Sequence, residues 1–504
     1  MTTQTAARRA PTRTVDTDHA YASPRVLAWQ HLALMGFAVV WGFGNVVSSF
    51  ASQGLAVIFS WLVILVVYFL PYTLMVGEMG VGFSEARSGV AAWIRSTLGS
   101  GWAYLCGWTY WVVHIPYLAH KPLALLLAAD WAVQGRDGLL TRAPVWAVEM
   151  VALLVLLGFI WLATKGIRPV RLLGTAAGAA SFLMGLLYVL LMLAAPVLRG
   201  AQVATPRLSS LSTYLPHLDL GYFTSIALLV VAVGGAEKLS PYAASMRDTR
   251  RGFSQGMVVM ALLVAGSAVL GSLAMGMMFD VSHMDAKTLS DFRANGQYLA
   301  FQKLGQYYGV GSTFMVMQAV ANLVVHGAIL LISIDAPLRM MLVEADERYV
   351  PQALRRLNEH GAPVNGYLLT AGLVTPLLLL PALRVESLTD LFTDLLDLNA
   401  VVMPMRYLFV FVAYVAMRRM VRRPSQVPET RLVYSDRWAV AMGVWCFVLT
   451  ALACLLGMVP AHVPLGTVSW WGKLALNVGT PLALVSLGLI MPLLAERQLG
   501  LHRR

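Results

Sequence analysis

Trp41-Gly42-Phe43-Gly44-Asn45 interrupts an apolar stretch long enough to cross a membrane, and Gly234-Gly235-Ala236-Glu237-Lys238 interrupts another, five spans later. Lipid offers no hydrogen-bond partner to opened backbone, and each orphaned group costs several kcal/mol, of order 2 to 7. Glycine lets the chain leave helical geometry at such a point. Two breaks of this kind point to a transporter binding site, because a bound solute can complete the opened backbone. Close helix packing through small residues is the plainer reading of the first pair alone. Glu237 weighs against it at the second, since an ionisable group at membrane depth is expensive and a functional candidate by default. The plainer reading of Glu237 itself is an ion pair with Lys238 or with a basic group on a neighbouring span.

The rest of the chain fits this frame. Of 504 residues, 58% are hydrophobic and 12% charged, against roughly 25% charged in soluble domains. An all-α integral membrane protein follows, with apolar runs of about 20 residues, enough to cross a bilayer core. Twelve transmembrane helices are expected, over 29–53, 56–80, 101–133, 144–163, 169–198, 220–246, 253–279, 309–343, 363–383, 386–421, 434–459 and 468–496. Residues 1–24 are polar and lack a signal-peptide core, so a disordered cytoplasmic tail is expected and the first span is retained. Residues 25–424 form the transporter core, and 425–504 hold helices 11 and 12 with a short cytoplasmic C-terminus. Ser84 to Gly99 reads as an amphipathic inside helix, and Ser282 to Tyr308 as a segment able to hold an outside helix.

The net charge of +12 follows topology rather than a nucleic-acid partner. With the N-terminus inside, basic residues divide about 25 to 9 in favour of the cytoplasmic segments, which sets both termini inside the cytoplasmic membrane. Cys106, Cys446 and Cys454 all lie in spans, at spacings that suit neither a disulfide framework nor a zinc site. They read as small buried residues, and no metal or other cofactor is expected.

Taking spans one to five and six to ten as two halves, each begins with its broken helix, and an odd number of spans makes their topologies opposite. This is a 5+5 inverted-repeat arrangement, about 27–200 and 218–424, with two extra C-terminal helices.

Particular motifs carry a resemblance. Gly42-Phe43-Gly44, Pro71 to Glu78, Ser88-Gly89-Val90-Ala91-Ala92-Trp93, Gly234-Gly235-Ala236-Glu237 with Arg247-Asp248-Thr249-Arg250-Arg251, and Ser333-Ile334-Asp335-Ala336-Pro337-Leu338-Arg339 occur in that order. So ordered, they resemble the amino acid-polyamine-organocation superfamily of permeases, closest to its glutamate/gamma-aminobutyrate antiporter branch. The resemblance implies alternating access. It also implies that the Gly42-Phe43-Gly44 break receives the substrate carboxylate and that Glu237 lies beside the substrate and takes part in gating. Phe43 and Lys238 depart from the family pattern, where small or polar residues are usual. A basic residue on span five stands in place of a sodium ion in some members, and Arg171 lies near that place.

Other polar residues fall into stripes. Tyr110, His114, Tyr117 and Lys121 share one face of span three, where Pro116 is expected to kink the helix. The face could line a cavity and help hold an anion, or serve interhelical hydrogen bonding with Lys121 snorkelling. Gln318, Asn322, His326 and Ser333 share a face of span eight. On span ten, Asp394 and Asp397 are candidate proton carriers, cation ligands or partners for Arg406. Asp335 is expected to pair with Arg339, four residues on.

The expected binding residues are therefore Trp41, Gly42, Phe43, Gly44, Asn45, Tyr110, His114, Val233, Gly234, Gly235 and Asn322, with Glu237, Lys238, Asp394 and Asp397 in gating or coupling. No phosphate-binding loop occurs, so ATP-driven pumping by this chain is not expected. Neither His-Glu-x-x-His nor Gly-x-Ser-x-Gly occurs, which sets a membrane-embedded enzyme aside. The expected function is secondary transport of an amino acid or related amine by antiport or proton coupling, with a counter-substrate or proton and membrane lipid as partners. Sodium symport is the alternative, and a transporter-like receptor is the rival of another class. Substrate charge stays open, because Glu237, Asp394 and Asp397 favour cations whereas Lys121, Lys238, His114 and Arg406 favour acids.

Overall fold

The computed structural model describes residues 25–136, 138–205, 208–218, 222, 225–226, 229–230, 232–383, 403–420, 431–460 and 464–502. Helices dominate, and no strand occurs among the described residues; extended pairing is limited to a parallel bridge between Leu27 and Met246. Nine described helical stretches are long and apolar enough to cross a membrane. Trp29–Gly82, at 54 residues, is too long for one crossing of a core of about 30 Å. It divides at the Gly54–Ala56 turn, where Gly54 takes φ 58°.

The first span is broken where the glycines fall. One helix runs Trp29–Val40 and the next Phe43–Gln53, with Trp41 and Gly42 extended between them. In the sixth span the chain passes through Gly234 and Gly235, the latter at φ 117°, into a 3-10 helix Ala236–Ser245. The two broken segments are tied at one end, where Leu27 N–H donates to the Ser245 carbonyl at 2.9 Å and Arg247 N–H to the Leu27 carbonyl at 2.8 Å. Span three kinks at Val113, between Ser100–Val112 and His114–Gln134. Pro116 accounts for the kink, since its nitrogen cannot bond the carbonyl of Val112.

Helices form in both connecting segments that the sequence marks out. Val90–Leu98 buries Val90, Ala91, Trp93 and Ile94 while Arg95 faces outward. Ala286–Tyr307 begins at an Asp285 cap and covers the second half-helix of span one, with Phe292 6.5 Å from Phe50. All three cysteines are buried.

Candidate functional site

Between the two half-helices of span one, the amides of Phe43 and Gly44 find no acceptor among the described residues. Asn45 braces the gap: its amide donates to the Gly42 carbonyl at 2.9 Å and its side chain to the Val40 carbonyl at 3.3 Å. Gly42, Gly44 and Asn45 stay partly accessible. A Cβ at Gly42 would meet nothing within 4 Å, and one at Gly44 only the Gln297 side chain, at 3.6 Å. The positive end of a half-helix, with free amides beside open space, is a ready anion site.

Gly234 is needed for a different reason. A Cβ there would lie 2.2 Å from the Tyr407 ring, so glycine lets that ring close over the sixth-span break. Beyond it, Glu237 is fully buried. One carboxylate oxygen accepts from the Tyr72 hydroxyl and from the Gly235 amide at 3.1 Å. Its other oxygen lies 3.3 Å from Arg406 Nε, in an ion pair whose angle is not that of a hydrogen bond.

Arg406 ends the turn Met403–Arg406 and is 2% exposed. Its remaining nitrogens face His114 Nε2 and the Tyr407 hydroxyl, each at 3.2 Å, and its plane lies 5.4 Å from the Tyr110 ring centre. Guanidinium only donates, so His114 Nε2 accepts. The His114 Nδ1–H then donates to the Tyr110 carbonyl at 2.6 Å. Lys238 and Lys121 both approach one ring, that of Tyr117, at 5.5 and 5.3 Å from its centre.

Of the 37 basic residues, Lys121, Lys238 and Arg406 are the three that belong to neither the cytoplasmic nor the outside group of the sequence reading. The structure gathers all three around the span-three stripe Tyr110, His114 and Tyr117. Among the described residues one carboxylate, Glu237, is ion-paired in this cluster; Glu78, Asp130, Glu149 and Asp335 are the other buried ones. Glu237 holds Arg406, while Glu78 holds Arg418 at 2.6 Å and Asp335 holds Arg339 at 2.7 Å. The last pair has the expected four-residue spacing.

Other expected site residues lie elsewhere. Phe43 packs between Tyr188 and Phe301, at 4.9 and 5.1 Å, and Trp41 against Trp61 at 5.1 Å. Both line an apolar cavity of about 150 Å³ with Phe37, Phe182 and Leu270, away from the charged cluster. Val233 is buried at the sixth-span break. Asn322 accepts from Gln318 at 3.1 Å and keeps a buried amide nitrogen without a partner. Arg171 donates to the Val26 carbonyl at 3.2 Å. Asp394 and Asp397 lie outside the described residues.

Tyr72 and Tyr407 are the participants that sequence reasoning missed. A tyrosine in a span usually signals an interface or packing, and only the flatness of Gly234 hinted at a ring against it.

Broken helices around a charged midspan cluster define a transport protein rather than an enzyme, and the chain belongs to the amino acid permease family, whose model matches residues 27–479. Among its relatives, the aspartate/glutamate permease AcaP of Lactococcus lactis subsp. cremoris is 43% identical over 474 residues, 94% of this chain and 96% of that one. The probable agmatine/putrescine antiporter AguD of Lactococcus lactis subsp. lactis is 20% identical, over 73% of this chain and 75% of its own. A crystal structure of MhsT in complex with L-phenylalanine shares the fold with TM-score 0.60 and 12% identity, covering 86% of this chain and 99% of that chain.

Proposed function

We propose that this protein is a secondary carrier of amino acids with anionic side chains, working by alternating access through twelve spans of 5+5 inverted-repeat design with both termini cytoplasmic. The single observation that carries the reading is the local charge imbalance of the cluster: three buried or half-buried cations share it, and Glu237 is the carboxylate ion-paired there among the described residues. An anion of the substrate makes good the difference. The 43% identity to an aspartate/glutamate permease supports the same class.

In this reading the substrate's α-carboxylate occupies the open space at Gly42 and takes the amides of Phe43 and Gly44. Its ammonium meets carbonyls at the end of Trp29–Val40 and around Val233 to Gly235. Glu237 and Arg406 form the gate. A poorly angled, buried ion pair holds the two segments together, yet it can exchange partners when substrate or a proton arrives. Exchange or proton coupling supplies the energy.

Uptake of labelled aspartate, glutamate, asparagine, arginine and putrescine into proteoliposomes tests this, with and without sodium and pH gradients. Aspartate or glutamate should enter best, and uptake should survive removal of sodium. A strict sodium requirement, or preference for the cations, would overturn the assignment.

A further inference from the structure

We propose that Lys238 and Lys121, which share the Tyr117 ring, form the receptor for the side-chain carboxylate of the transported amino acid, an anion subsite separate from the amides of Phe43 and Gly44. The proposal rests on the reading above and adds to it the residues that select the substrate class.

The cation inventory singles these two lysines out. Arg406 is already paired in charge with Glu237, and its terminal nitrogens meet His114, Met403 and Tyr407. Lys238 is 6% exposed and has neither a carboxylate nor a hydrogen-bond acceptor among the described residues. The charged groups acting on it are Arg406, Glu237 and Lys121, and the carboxylate among them already belongs to Arg406. Besides that shared carboxylate, the Tyr117 ring is its favourable contact. A cation–π contact is weak beside the cost of burying an ion. The ring orients the ammonium without neutralising it.

Lys121 repeats the arrangement from the other side of the interface. It follows Tyr117 by four residues, so ring and ammonium share a helix face, and it is half-buried rather than dissolved in water. His114, one turn before Tyr117, has turned its accepting nitrogen to Arg406 and so gives neither lysine a partner. Lys238 is the third residue of the half-helix that opens at Gly235, next to the sixth-span break. Two ammonium groups on one ring beside a broken helix fit a carboxylate carried on a short side chain; their charge repels a cationic side chain and gives a neutral amide less than a carboxylate.

Lys238→Met and Lys121→Met keep length and apolar volume while removing charge, and Lys238→Arg keeps the charge. Each is reconstituted as the full chain, and KM is measured for labelled aspartate and for asparagine, its neutral near-isostere. The parent protein is expected to favour aspartate; parent protein that moves neither compound refutes the functional reading before any variant is compared. With an active parent, Lys238→Met should raise the aspartate KM by roughly 30-fold or more with little effect on asparagine, and Lys238→Arg should restore most of the preference. Equal losses for both substrates, or an unchanged aspartate to asparagine ratio, would overturn the subsite. Thermal stabilisation of the detergent-purified proteins by each compound gives the same comparison independently of transport. There, aspartate should stabilise the parent more than asparagine does, and lose that advantage in both methionine variants.

Discussion

Three glycines at the two breaks do different physical work, and substitution separates them. Gly42 has an ordinary backbone angle, φ −141°, with open space at its missing Cβ. Gly42→Ala should therefore leave thermal stability unchanged while raising the substrate KM, as kinetics beside a melting curve would show. At Gly234 the Tyr407 ring occupies the place a methyl group would take. Gly234→Ala should lower stability by about 1 to 3 kcal/mol through overpacking and reduce transport with it, since Tyr407 also holds Arg406. Gly44→Val should insert and fold, because Gln297 can give way, yet lose transport. Both breaks and Glu237 were legible in the sequence, because opened backbone and buried charge are costly wherever they occur. A basic partner for Glu237 on a neighbouring span was among the alternatives read there, but not its identity: spacing along span ten offered Arg406 to Asp394 and Asp397, and the structure pairs it with Glu237.

Among the elements, the helix Val90–Leu98 is held in a way that bears on the sixth-span segment. Glu344, at the unusual φ 62°, accepts from Ser88 Oγ at 2.7 Å and from the Arg87 amide at 3.1 Å, and it pairs with Arg95 at 3.2 Å. The amide of Val90 donates to Ser240 Oγ at 3.1 Å, so the same helix is tied to the sixth-span segment. Glu344→Ala should free it. A cysteine placed at Ala91, now 5% exposed, should resist a thiol reagent in the parent and react in the Glu344→Ala background. Unchanged protection would mean that apolar packing alone holds the helix. The amphipathic pattern announced this helix, but its ties to Glu344 and Ser240 join residues 150 or more apart, beyond the reach of periodicity.

For the whole molecule, pH separates the gate from its surroundings. In the loop after span eight, Asp346 bonds to Arg348 at 2.6 Å, and this holds its carboxyl down at about 2, below the ordinary 3.8. A carboxyl lowered in the folded state contributes stability above its ordinary value and loses that contribution as pH falls through the lowered one. Between about pH 5 and 8 the pair is therefore constant. Asp346→Asn should leave the shape of the pH profile of transport unchanged in that range, whereas Glu237→Gln should alter it. An unaltered profile in Glu237→Gln would remove the residue from coupling.

Counterflow in proteoliposomes without ion gradients tests alternating access at this site most directly. Labelled aspartate should accumulate transiently in vesicles preloaded with unlabelled aspartate, in the absence of sodium, and should fail to do so with Gly44→Val. The account is contradicted if the parent shows no overshoot, or if Gly44→Val overshoots equally.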